Sequence, residues 1–179
     1  MILNVGNKVV YPCQGPCLIG PLVKRHVGDM TMMFYQLVVL NDGGGELFVP
    51  VDKVHAIGIR LLLEKSDIPR LLDRLKKPAR TADTWKQRAV DNQKLFATGS
   101  AFDLAEVVES LTELSETKAL SFGERKTLER AKRLLVCEIS EVMEVTKEEA
   151  EKKVDGALGQ RRVLKGGVNF NAKTKAAQH

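Results

Sequence analysis

The apolar positions along the chain change period near residue 58. Before it, "NKVVYP", "GPCLIGPLVKRHV", "TMMFYQLVVL" and "GELFVPVDKV" are short runs rich in Val, Leu, Phe and Tyr. Short runs of this composition, several of them alternating, predict strands. "GD" and "NDGGG" separate them and supply the backbone freedom that hairpin turns need. Four or five short antiparallel strands in this space predict a small β-barrel of the SH3-like or Tudor-like kind. In the third run, alternation puts Phe34, Gln36 and Val38 on one face and Tyr35, Leu37 and Val39 on the other. Both faces are largely apolar, so the second is either covered by the rest of the chain or left for a partner. Pro50 lacks an amide hydrogen, which confines its strand to an edge or its position to a strand end.

Beyond Gly58 the period is helical. Ile68, Leu71, Leu72 and Leu75 share one face, with Ser66 as the expected N-cap. After the polar connector "KKPARTAD", four more starts carry a capping-box pattern: Thr84 with Gln87, Ser100 with Asp103, Ser121 with Glu124, and Thr146 with Glu149. Leu104, Val107, Val108, Leu111 and Leu114 form the stripe behind Ser100. Leu128, Ala131, Leu135, Ile139 and Val142 form the one behind Ser121. The chain therefore reads as an α+β protein. Residues 1–60 form the barrel, residues 61–158 a compact all-helical domain of about five helices, and residues 159–179 a basic tail without period, expected to be disordered.

Composition narrows the partners. The 179 residues carry a net charge of +5, which suits a polyanion. Nine of the basic residues fall between Arg60 and Arg88 against four acids, and Arg161, Arg162, Lys165, Lys173 and Lys175 follow Gln160 with no acid at all. No apolar run is long enough to cross a bilayer, and "MILNVGNKVV" lacks the pattern of a signal peptide, so the expected place is the cytoplasm. Cys13 and Cys17 in "PCQGPC", with His26, could be drawn as part of a metal site, but a structural zinc needs a matching second half that the chain lacks. No phosphate-binding Gly loop and no Ser/His/Asp set is present, and the three histidines are scattered. The expectation is a protein that is not an enzyme and holds no cofactor.

The sole tryptophan stands in "KPARTADTWKQRAV", among Lys77, Arg80, Lys86 and Arg88. With Thr84 as N-cap it is the first helical residue and projects from the helix end. Two uses fit that place. Trp85 either anchors the connector to the bundle, or it is a surface wedge for a distorted base step, with Lys86 and Arg88 on phosphates. Arg125 and Lys126, in the first turn after Ser121, offer a second set of phosphate contacts.

"VGNKVVYPCQGPCLIG", "FVPVDKVHAIGIR", "TWKQR" and "LSFGERKTLERAKRLLVCEI" closely resemble the CarD family of bacterial transcription regulators, in particular its stand-alone type. The resemblance runs from residue 2 to about residue 158 with the motifs in order. The first half alone also resembles the polymerase-interacting module of transcription-repair coupling factors; the helical half does not. The resemblance implies a barrel that binds the β subunit of RNA polymerase, and a helical domain that contacts promoter DNA at the upstream edge of the melted region. It gives Trp85 the part of a minor-groove wedge that slows bubble collapse, with Lys86 and Arg88 beside it. It places Arg125 and Lys126 on phosphates, and Arg25, Leu37, Phe48 and Pro50 against the polymerase. Where the family pattern has arginine this chain has Gln87; a following aromatic or basic position is Ala89 or Val90, and an apolar one is Gln93. These departures imply a weaker grip on DNA. The expectation is a monomer that docks on polymerase and stabilises the open promoter complex; the alternative is a polymerase-bound adaptor whose helical half recruits another protein.

Overall fold

The computed structural model describes residues 3–41, 43–77 and 84–160. Five strands form one antiparallel sheet: β1 (Lys8–Tyr11), β2 (Gly15–Val27), β3 (Met30–Val39), β4 (Glu46–Pro50) and β5 (Arg60–Leu61), in the spatial order β4-β3-β2-β1-β5. β2 and β3 are the long pair, in register from Cys17 opposite Val39 to Val27 opposite Met30, with an irregularity between Ile19 and Leu22 that bends the hairpin. A single-turn helix, α1 (Val54–Ile57), leads into β5.

The expected barrel is not closed. β4 and β5 are the two edges of the sheet, and β5 pairs only through Arg60 and Leu61, opposite Val10 and Val9. Two residues are too few for a closing strand, and Arg60 turns its side chain to the helical half instead. Inside the curved sheet, Val9, Cys17, Ile19, Tyr35, Leu37, Val39 and Val49 make the first core with Leu3, Val54 and Ile59. Alternation along β3 thus resolves inward for Tyr35, Leu37 and Val39; on the other face Phe34 and Gln36 are half-buried and Val38 is exposed.

The helical half holds α2 (Ile68–Leu75), α3 (Trp85–Thr98), α4 (Ala101–Thr117), α5 (Phe122–Met143) and a last helix, α6, over residues 147–160. Its core takes the predicted stripes of α2, α4 and α5, with Phe96 of α3 and Ala150, Val154 and Ala157 of α6. The N-caps follow the sequence except at α2, and two of the four expected boxes are reciprocal. Ser66 does not cap α2: Glu64 and Asp67 form a reciprocal box one turn earlier, because a 3₁₀ turn at Lys65–Asp67 precedes the helix. Ser121 with Glu124 and Thr146 with Glu149 make complete boxes. Thr84 and Ser100 accept from the amides of Gln87 and Asp103, while those two side chains turn elsewhere, to Asp91 and Thr98. Pro78, Arg80 and nearly all of the basic tail lie outside the described residues; Gly159 and Gln160 continue α6.

Sheet and bundle meet along the turn between β1 and β2. Gly15, at φ +90°, lies where an added Cβ would come within 3.0 Å of Leu134 of α5. Arg130 donates to the Cys13 carbonyl oxygen at 2.9 Å, and the Cys13 thiol lies 3.5 Å from the Phe96 carbonyl. On the far side Arg60 forms a bidentate pair with Glu138 at 2.7 and 2.8 Å, and its Nε donates to the Gly99 carbonyl at 2.9 Å. Lys8 reaches Glu141 at 2.6 Å. These contacts fix the end of α3, and α5 from Arg130 to Glu141, against the sheet.

Candidate nucleic-acid interface

Helix α3 begins as its sequence requires. Thr84 is extended and its hydroxyl accepts from the Gln87 amide at 3.3 Å, so Trp85 is the first helical residue. The indole is 65% exposed. The Lys86 ammonium lies 5.8 Å from the ring centroid, within cation–π range. Helix α5 begins alike, with Ser121 as N-cap, Phe122 as the first helical residue and also 65% exposed, and the Lys126 ammonium 4.6 Å from its ring.

The two starts are joined by one ion pair. Arg88 is 5% exposed, and its Nε and Nη2 donate to Glu124 Oε1 at 3.1 and 2.8 Å. Glu124 Oε2 accepts from the Ser121 amide at 2.9 Å. Burial raises the Glu124 carboxyl, but the hydrogen bonds from the Ser121 amide, Arg88 and the Ser121 hydroxyl outweigh it, and the pKa falls to about 2. The expected phosphate contact Arg88 is therefore turned inward, its charge matched by Glu124, while Lys86, Arg125 and Lys126 are exposed.

Between α3 and α5 runs an open groove of about 1420 Å³, from Trp85 at one end to Cys13 at the other. That is a trough larger than a typical small-molecule pocket of roughly 300–1,000 Å³. With Arg88 and Glu124 paired, Lys118, Lys126, Arg130 and Arg133 line it against the single acid Glu129. Lys126, Arg130 and Arg133 stand at spacings of four and three, one face of a helix. Sequence reasoning stopped at the first of them. The periodicity that exposes the other two was legible in "GERKTLERAKR", but nothing in a single helix says that α3 will lie opposite and make that face a wall.

The sheet offers a second surface. β4 is an outer edge with one neighbour, and Pro50 ends it, which meets both placements its missing amide allows. The Arg25 guanidinium stacks on the Phe48 ring at 3.5 Å to the centroid. Arg25, Phe48 and Pro50 thus gather at one side of the sheet. Leu37 does not join them: it is fully buried in the sheet core, because alternation along β3 turns it inward.

The cysteines and His26 do not assemble. Cys17 is buried in the sheet core, where burial pushes its thiol up to about 11, Cys13 sits at the joint with α3, and His26 lies near the far end of β2 beside Thr31. Among the described residues no group of three or more His, Cys, Asp or Glu is placed to hold a metal ion. No helix of the described residues is long and apolar enough to cross a membrane.

Comparison with known proteins finds two matched stretches. Residues 3–62 match the CarD-like/TRCF RID domain, and residues 70–155 match the CarD C-terminal domain. A Bacillus subtilis (strain 168) protein named "Putative transcription factor YdeB" is 23% identical over 156 residues, covering 83% of this chain and 97% of that one. The sheet, the bundle and the motifs in them stand in one order over both matched domains, and the chain belongs to the CarD family of transcription regulators.

Proposed function

We propose that this regulator docks on the β subunit of RNA polymerase through the β4 edge of its sheet and stabilises the open promoter complex through Trp85. The observation that carries the reading is the 65% exposed indole at the start of α3, with Lys86 beside it and a cationic groove that it shares with Lys126. A large apolar ring held out in water among cations is a costly arrangement for a mere anchor. It suits a wedge at the upstream edge of the melted region, where an unstacked step would otherwise close. Lys86, Arg125 and Lys126 supply contacts to phosphates that do not depend on sequence and weaken with salt. Arg88 acts as a positioning residue: its pair with Glu124 ties the first turn of α3 to that of α5 and so aims the indole.

On the sheet, β4 is an edge strand with β3 as its one strand neighbour among the described residues, and Arg25 on Phe48 with Pro50 makes the adjoining surface. An edge of this kind accepts a strand from a partner. Docking would place the wedge at the fork, so that little base readout is needed. Binding the open state more tightly than the closed one shifts the equilibrium by that difference in affinity and no more.

The test is the lifetime of open promoter complexes after a competitor challenge, with polymerase alone, with this protein, and with Trp85→Ala. The expected result is a longer lifetime with the protein and a return most of the way to polymerase alone with the variant. Equal lengthening by both would make Trp85 an anchor. No lengthening by either would favour the adaptor, in which the helical half recruits another protein.

A further inference from the structure

Phe122 is exposed to the same degree as Trp85 and has no place in the bundle core. Its neighbours Ser121 and Gly123 line the groove that begins at Trp85, and so does Lys126, whose ammonium sits 4.6 Å from the Phe122 ring. Phe122 itself does not line the groove, so its ring stands beside it, next to residues that do. The Arg88–Glu124 pair holds the turn that carries it against the turn that carries Trp85. The surface is then two projecting rings, each with a lysine ammonium near it, Trp85 in the wall of a trough lined by Lys118, Arg130 and Arg133 and Phe122 beside it. Aromatic side chains interleaved with cations along a positive groove are what unpaired nucleic acid requires: bases stack on the rings and the lysines pass to phosphates.

We propose that Phe122 is a second aromatic contact to promoter DNA, stacking on an unpaired base of the separated strand next to the step that Trp85 wedges. The assignment rests on the open-complex reading of Trp85 above. Charge favours DNA over an apolar protein segment as the occupant, since the groove carries four cations against one unpaired acid. Phe122 is 65% exposed and is not one of the buried core residues, so its replacement is expected to leave the fold intact, and thermal unfolding of each variant checks this.

The experiment measures open-complex lifetime after competitor challenge with the full chain, Phe122→Ala, Phe122→Leu, Phe122→Trp, and Trp85→Ala. A stacked base predicts that Phe122→Ala and Phe122→Leu shorten the lifetime by roughly fivefold or more, the lower range for base–aromatic stacking, and that Phe122→Trp keeps it. If Phe122→Leu behaves as the full protein does, the site needs bulk and not a ring, and the proposal is overturned. Phe122→Ala without effect while Trp85→Ala shortens the lifetime would remove Phe122 from the DNA and leave the wedge standing. If the unchanged protein does not lengthen the lifetime, the wedge reading itself fails and this assignment fails with it.

Discussion

Glu124 concentrates three jobs in one carboxylate: it completes the cap of α5, receives Arg88, and holds the first turns of α3 and α5 together. Because its pKa in the fold is about 2 against an ordinary 4.5, folding favours the ionised form. The stabilisation is fully present above pH 4.5 and is lost as the pH falls toward 2. Glu124→Gln should lower stability near neutrality by about 3 kcal/mol, the scale for leaving a buried partner without its counter-charge. Unfolding followed by circular dichroism across that window should show the gap between the two proteins narrowing toward pH 2, with the wild type losing the difference. A gap constant with pH would mean that the carboxylate's charge is not what stabilises the turn. The same pair explains why Arg88 could be read from the sequence as a phosphate contact and yet is not presented as one. Its position in the first turn was legible, but the acid that claims it lies 36 residues away.

At the scale of elements, the joint between sheet and bundle depends on the tight turn between β1 and β2. Gly15 has φ +90°, a conformation that favours glycine, and the space for a side chain there is already taken by Leu134 of α5. Gly15→Ala should therefore destabilise the protein by roughly 1–3 kcal/mol, through backbone strain and the displacement of Leu134. A urea midpoint unchanged from wild type would show that the turn relaxes without loss. Gly99, which ends α3 at φ +68°, lies where an added Cβ would come within 3.1 Å of Pro12 of the same turn, so helix end and hairpin leave no room for a side chain there. The periods foretold the four strands up to Pro50 and the five helices of the second half, but not the end of the fourth run in the short helix α1, not β5 beyond Gly58, and not the 3₁₀ turn that moved the first cap from Ser66 to Glu64. Ser is the better capping residue by preference; the extra turn decides, because it shifts which residue stands just outside the helical backbone.

For the molecule as a whole, two separate cores act together only if the joint is stiff. Arg60 and Glu138 supply one link across it, a bidentate pair in which the carboxylate is 1% exposed. Arg60→Ala should cost about 3–5 kcal/mol, since it strands a buried charge. Arg60→Lys should recover little, because an ammonium cannot make the paired contact. Thermal unfolding read by circular dichroism and by Trp85 fluorescence should coincide for the wild type and separate for these variants, as sheet and bundle part company. Coincident transitions in Arg60→Ala would show that the Lys8–Glu141 and Arg130–Cys13 contacts suffice. In the polymerase-docked reading the same variant loses open-complex lifetime while Trp85 stays in place, because the sheet no longer aims the bundle.

Local chemistry by itself determined the α+β division, the change of period near Gly58, the helix faces, most caps, and the place of Trp85 as first residue of a helix. These follow from spacing and from side chains that bond within a few residues. Only the tertiary structure decided which exposed-looking residues stay exposed. Leu37 and Arg88 turn inward, one by the handed alternation of β3 within a curved sheet and the other by a distant acid. Trp85 and Phe122 stay outward, and Arg130 and Arg133 gain a facing wall. The open edges at β4 and β5 belong to the same class, since whether a sheet closes depends on what its last strand meets. Here β5 meets α5 through Arg60, while β4 forms the other edge of the sheet.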